Sequence, residues 1–174
     1  MKTLVIVSHP YPGKSSAILK LQAAAETTHD VTVRNLESLY GNSVDSFDVA
    51  AEQKAYEQAD RIVFLFPIHW FNLTPLLKAY LNEVWSYGWA FGPSGDALKG
   101  KELQAVVTAG ATDFTYSAEG VIRSTLEEVL TPLKASALYV GMSYRPPLAF
   151  YSAMGIPDDS LSQIRQAFVD SLTR

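Results

Sequence analysis

An α/β fold with an all-parallel sheet is what the sequence predicts, on three observations. Apolar runs of strand length recur along the chain, most clearly Leu4-Val5-Ile6-Val7 and Ile62-Val63-Phe64-Leu65-Phe66. Continuous runs of this kind, rather than alternating ones, suit strands buried on both faces. Segments with helical spacing stand between them, so the strands are joined by crossovers and pair in parallel. The chain has 174 residues, near the usual size of one domain, and one domain over residues 1–174 is expected.

Residues 3–8 form the first strand, and a loop at residues 9–16 leads into a helix from about Ser15 to Glu26. Residues 31–36 alternate like a second strand, residues 37–49 read as irregular, and Ala50 to Gln58 as a short helix. The third strand, 61–66, stops at Pro67, which has no N–H for a neighbouring strand. Thr74-Pro75 reads as a helix start, with threonine as the capping oxygen and proline at the first helical position. Leu76, Leu77, Tyr80, Leu81 and Val84 then keep helical spacing to about residue 86. Residues 102–108 make the fourth strand, which ends in the small-residue loop Ala109-Gly110-Ala111-Thr112. Gly120 to Leu130 reads as a helix ended by Pro132, Ala135 to Met142 as a fifth strand, and Asp158 to Leu172 as a closing helix.

Five such strands suggest a flavodoxin-like three-layer sandwich, a five-stranded parallel sheet in the order 2-1-3-4-5. In that order the carboxyl ends of strands one, three and four face a common crevice, which gathers residues 9–16, 67–72 and 108–112. The aromatic loop His69-Trp70-Phe71-Asn72 suits a flat aromatic ligand there.

Composition and motifs then work by exclusion. No apolar run approaches the roughly 18 residues of a membrane helix. Met1-Lys2-Thr3 runs straight into a strand too short for a secretion signal. There are no cysteines, hence no disulfide, thiolate metal site or cysteine nucleophile, and cytoplasmic residence is expected. A net charge of −4 without a long basic run argues against nucleic acid. Gly13-Lys14-Ser15 is the tail of a P-loop, but Ser8 stands where that motif needs glycine, and Pro10 and Pro12 remove amide donors. No G-x-G-x-x-G follows a strand and no G-x-S-x-G occurs, which leaves a Rossmann NAD site and a serine hydrolase unsupported. Ser15 and Ser16 at a helix N-terminus favour one phosphate group, so a mononucleotide fits. His9 and His69 end neighbouring strands and raise the question of a metal pair. No carboxylate follows either strand closely enough to complete one, and no metal is expected.

With those residues in view, the chain resembles the flavin-dependent NAD(P)H:quinone oxidoreductases of flavodoxin-like fold. The likeness is above all to the small bacterial ancillary subunits of glutathione-regulated potassium-efflux systems. It is carried by His9-Pro10-Tyr11-Pro12 with Ser15, Ala50-Ala51-Glu52-Gln53 and Ala59-Asp60-Arg61-Ile62-Val63. The block from Pro67 to Lys78, Gly88-Trp89-Ala90-Phe91-Gly92 and Arg145-Pro146-Pro147 add to it. The resemblance implies that His9, Ser15, Ser16, Ala17 and Ile18 hold the flavin phosphate and ribityl chain. It implies that Pro67, Ile68, His69 and Trp70 line one edge and face of the isoalloxazine. Thr108, Ala109, Gly110 and Ala111 stand where the family has Thr-Thr-Gly-Gly, whose amides contact the pyrimidine end, and Ala109 and Ala111 depart from that pattern.

The cofactor implied by the resemblance is FMN, with FAD less favoured because the longer animal enzymes extend their C-terminus around an adenine. A homodimer with the active site at the interface is implied as well. The implied reaction is ping-pong: NAD(P)H gives a hydride to flavin N5 and leaves, and a quinone takes its place and receives the hydride. Tyr116 lies where some relatives place a hydroxyl near the hydride acceptor, and is the one catalytic candidate. The histidine that partners that tyrosine in the animal enzymes has no counterpart here. A second reading stays open: a regulatory subunit on the cytosolic domain of a potassium-efflux transporter, with reductase activity secondary. That role would hold the protein peripherally at the inner face of the membrane. A flavodoxin-type electron carrier without a nicotinamide site is a third.

Overall fold

The computed structural model describes residues 1–11, 16–155 and 158–173. Its five strands are β1 (Thr3–Val7), β2 (Val31–Asn35), β3 (Arg61–Pro67), β4 (Glu102–Thr108) and β5 (Ser143–Phe150). All pair in parallel in the order β2-β1-β3-β4-β5, the flavodoxin-like order that the sequence predicts. Successive side chains of a strand point to opposite faces, so each central strand feeds two cores. Val5, Val7, Val63, Leu65 and Val106 pack with helix α1 (Ser16–Glu26) and α7 (Asp158–Thr173) through Ile18, Leu21, Phe168 and Leu172. Leu4, Ile6, Ile62, Phe64, Phe66, Ala105 and Val107 face the other layer. That layer comprises α2 (Leu36–Tyr40), α3 (Val49–Glu57), α4 (Pro75–Val84), α5 (Leu126–Val129) and α6 (Thr131–Tyr139). Among the described residues, no helix is long and apolar enough to cross a membrane.

Three stretches differ from expectation. Residues 37–49 are not all irregular. The Oδ1 of Asn35 accepts from the Ser38 N–H at 2.9 Å and caps α2, and a 3₁₀ turn follows at Val44–Ser46. The expected helix over 120–130 shrinks to α5, and Pro132 opens α6 instead of ending a helix. The fifth strand is not at 135–142, which is largely α6. Leu133, Ala137 and Val140 are buried at helical spacing, and the strand follows at 143–150. That strand contains Pro146-Pro147, which an edge position tolerates. Between Gln104↔Arg145 and Val106↔Leu148 the register slips by one residue, a bulge that absorbs the two missing donors. The Gln104 side-chain amide donates to the Pro146 carbonyl at 3.1 Å across this bulge.

Candidate functional site

The carboxyl ends of β1, β3 and β4 carry the chemistry-bearing loops, as the topology requires. After β3 the Ile68 N–H donates to the Thr108 carbonyl at 2.8 Å, tying the start of one loop to the end of β4. His69 and Asn72 then exchange backbone hydrogen bonds of 3.1 and 3.0 Å around Trp70 and Phe71. Both central residues have positive φ, 47° and 60°, the signature of a type I′ turn. For side-chain-bearing residues the left-handed region costs roughly 1 kcal/mol each. The strain holds Trp70 out in solvent, 94% exposed, with Phe71 beside it. Pro67 is buried at the strand end and Ile68 and His69 half-buried.

The end of β1 is held by a clasp that the sequence did not reveal. The Ser8 hydroxyl donates to Glu37 Oε1 at 2.8 Å and meets the Thr74 hydroxyl at 2.5 Å. Thr74 therefore gives its side chain to β1, and not to the cap of α4 as its position suggests. Next in the chain, His9 Nδ1 accepts the Tyr11 N–H at 2.9 Å, so the neutral ring carries its proton on Nε2. Its ring stands edge-on to His69 with centroids 6.3 Å apart. Burial, and secondarily the neighbouring His69, hold His9 below the ordinary histidine value. Ser15 lies outside the described residues, and Ser16 enters only as the first residue of α1. Ala17 and Ile18 are buried in the first turn of α1.

At the end of β4, Thr108 and Ala109 are buried. The Ala109 N–H donates to the Phe150 carbonyl at 2.9 Å, so this amide of the four-residue loop is engaged. The N–H groups of Gly110 and Ala111 have no partner among the described residues, while the Ala111 carbonyl accepts from Ser152 at 3.0 Å and fixes the loop. A Cβ on Gly110 would stand 3.7 Å from Met154 Cε, an ordinary contact. Tyr116 ends a 3₁₀ turn (Asp113–Tyr116), its ring 5.9 Å from Phe71 and 5.6 Å from Tyr151. Its hydroxyl has no partner among the described residues, and burial, then Tyr151, raise its pKa, so it is held as a neutral phenol. Tyr151 and Met154 were missed as neighbours of the site because the last strand was placed too early.

Ring contacts and one backbone bond thus join all three loops: His9 to His69, Ile68 to Thr108, Phe71 to Tyr116. Two unmet amides beside an aromatic wall and an Nε2–H donor fit a planar, acceptor-rich heteroaromatic with an anionic tail, such as a flavin mononucleotide. No group of three or more His, Cys, Asp or Glu that could hold a metal occurs among the described residues, so the histidine pair stands without a carboxylate.

Known proteins similar to this chain include oxidoreductases. The NAD(P)H oxidoreductase YdeQ of Bacillus subtilis (strain 168), itself uncharacterised, is 39% identical over 173 residues, 99% of this chain and 87% of the relative. A solved NADPH-quinone reductase from P. pentosaceus superposes with a TM-score of 0.90 at 32% identity, covering 100% of this chain and 99% of that one. General stress protein 14 of Treponema denticola, solved with FMN, gives 0.88 at 37% identity over 99% and 100% of the two chains. A protein from Streptomycin violaceusniger described as a thermophilic tryptophan halogenase gives 0.94 at 34% identity over 98% of each. A family model of flavodoxin-like fold matches residues 1–172, and the chain belongs to that flavodoxin-like family.

Proposed function

We propose that the protein is an FMN-dependent NAD(P)H:quinone oxidoreductase with ping-pong kinetics. The observation that carries this reading is the pair of unpartnered amides at Gly110 and Ala111, fixed beside the strained Trp70–Phe71 turn. The likeness to an NAD(P)H oxidoreductase, to an NADPH-quinone reductase and to an FMN complex supports it. Halogenation, named for another neighbour, has no observation of this chain in its favour.

When bound, the flavin supplies hydride transfer between a nicotinamide and an acceptor. The Gly110 and Ala111 amides would hold the flavin by donating hydrogen bonds to it, and would favour a negatively charged form. The backbone of Pro67, Ile68, His69 and Trp70 would line the flavin ring. His9 Nε2–H, Ser15, Ser16 and the backbone of Ala17 and Ile18 serve the ribityl chain and phosphate, where the N-terminus of α1 favours negative charge. Tyr116 Oη keeps its proton and offers it to the acceptor. FMN is preferred to FAD on the T. denticola complex. A second copy of the chain covers the cleft in this reading, since Trp70, Phe114 and Met154 on its loops are exposed. The transporter-subunit role rests on the sequence resemblance alone.

The test is a visible spectrum of the purified protein with FMN, after excess is removed. A retained flavin band that bleaches with NAD(P)H without oxygen, and returns with a quinone, is expected. A colourless protein that takes up neither FMN nor FAD overturns the reading. Tyr116→Phe should slow the acceptor half-reaction by roughly tenfold or more in stopped flow. Two unchanged half-reactions would remove Tyr116 from the mechanism.

A further inference from the structure

The loop after β5 folds back over the end of β4 and brings a thioether beside the open amides of the cleft. Three backbone bonds hold it there. The Ala109 N–H donates to the Phe150 carbonyl at 2.9 Å, the Ser152 N–H to the Ala111 carbonyl at 3.0 Å, and the Ala153 N–H to the Ala109 carbonyl at 3.0 Å. Ser152 takes a left-handed φ of 54° in this turn. A short 3₁₀ turn, Ala153–Gly155, then carries Met154. Around the position that a Cβ on Gly110 would occupy, the nearest heavy atoms all belong to Met154: Cε at 3.7 Å, Cγ at 3.9 Å and Sδ at 4.0 Å. The sulfur thus lies beside Gly110 and Ala111, whose N–H groups have no partner among the described residues.

Met154 is also the most accessible of the three methionines, 92% exposed against 3% for Met142. At that exposure its side chain adds little to the core. As a thioether it is a weak acceptor, too weak to satisfy the amides. Oxidation changes this. Hydrogen peroxide gives one oxygen atom to the sulfur: an S–O bond forms, the O–O bond breaks, and the other oxygen leaves as water. The sulfur loses two electrons and the peroxide gains them. The product is a polar sulfoxide whose oxygen accepts hydrogen bonds, carried on a flexible side chain beside Gly110.

We propose that Met154 is a peroxide-oxidised site whose sulfoxide takes the Gly110 and Ala111 amides and loosens the hold on FMN. The inference rests on the reading that FMN docks at those amides. Because methionine sulfoxide is enzymatically reducible, the loss is reversible.

The test treats the full-length, FMN-loaded protein with hydrogen peroxide. Peptide mass spectrometry should find an added oxygen on Met154 at least as fast as on the exposed Met1, and little on Met142. The flavin is then removed and titrated back by fluorescence. The Kd for FMN should be about tenfold higher after oxidation, the effect of roughly one lost hydrogen bond. Methionine sulfoxide reductases should restore the original value. Met154→Leu, close in volume and without sulfur, should give the same Kd before and after peroxide. A Met154 that oxidises as slowly as Met142 overturns the inference. So does an oxidised Met154 with an unchanged Kd, or an equal rise in Kd for Met154→Leu. Each of these leaves the reductase reading standing. Untreated protein that takes up no FMN sinks that reading, and the inference with it.

Discussion

Two clusters of polar groups in the same layer and its adjoining loops are finished in opposite ways. Around Glu52, which is fully buried, every carboxylate oxygen is engaged. Oε1 accepts from Arg34 at 2.6 Å and from the Tyr40 hydroxyl, and Oε2 from the Tyr80 hydroxyl at 2.7 Å. Burial, then the neighbouring Tyr56 and Glu52, push Tyr80 far above the ordinary phenol range, so it stays a donor. At the cleft, the Gly110 and Ala111 amides and the Tyr116 hydroxyl meet nothing among the described residues, and two aromatic residues sit in a conformation that favours glycine. A buried charge is kept only where partners complete it, because an incomplete one costs several kcal/mol. Donors left open on an exposed loop are met by solvent and cost the fold little, so they stay available to a ligand. One cluster is closed by the fold itself, and the other is left open to solvent.

If that contrast holds, substitutions should separate stability from binding. The largest effect is expected for Glu52→Ala, which strands Arg34 and two phenols. Unfolding by denaturant should show a loss of about 3 kcal/mol. A loss under about 1 kcal/mol would place Glu52 outside the structural cluster. Gly110→Ala should leave stability unchanged or slightly raised, because its Cβ meets only Met154 at ordinary distance. The same change should weaken FMN binding by about tenfold, or about 1.4 kcal/mol, in a fluorescence titration. Equal loss in both measurements would erase the distinction. Trp70→Gly should stabilise the protein by roughly 1 kcal/mol through relief of the left-handed turn, while kcat/KM for the acceptor falls. A melting temperature that drops instead would mean the indole is held by contacts within the fold.

The smallest effect concerns pH. His9 is held below its ordinary value, so the unfolded chain takes up the proton first as pH falls. This group's contribution to stability is complete above about pH 6.5 and declines from there toward the folded value. His9→Gln should flatten that part of the stability profile. An unchanged profile would show that His9 exchanges its proton equally in both states.

β1, β3 and β4 were legible because central parallel strands are buried on both faces and write themselves as unbroken apolar runs. β5 was not. As an edge strand with Pro146-Pro147 and half-buried residues it has no such run, while the apolar Ala135–Met142 segment, mostly α6, imitated one. The convergence of residues 9–11, 67–72 and 108–112 followed from topology alone. The left-handed turn at Trp70 and Phe71 did not, since no glycine announces it.

The proline pair in β5 bears on how copies of this protein can meet. An open sheet edge normally offers a row of amides to any extended chain, and so invites end-to-end accretion of sheets. Here two consecutive positions of the outer strand have no amide hydrogen, and the bulge twists that margin further out of register. Extension of the sheet from this side is disfavoured, so a contact made here has to rest on side chains and not on the backbone of the outer strand.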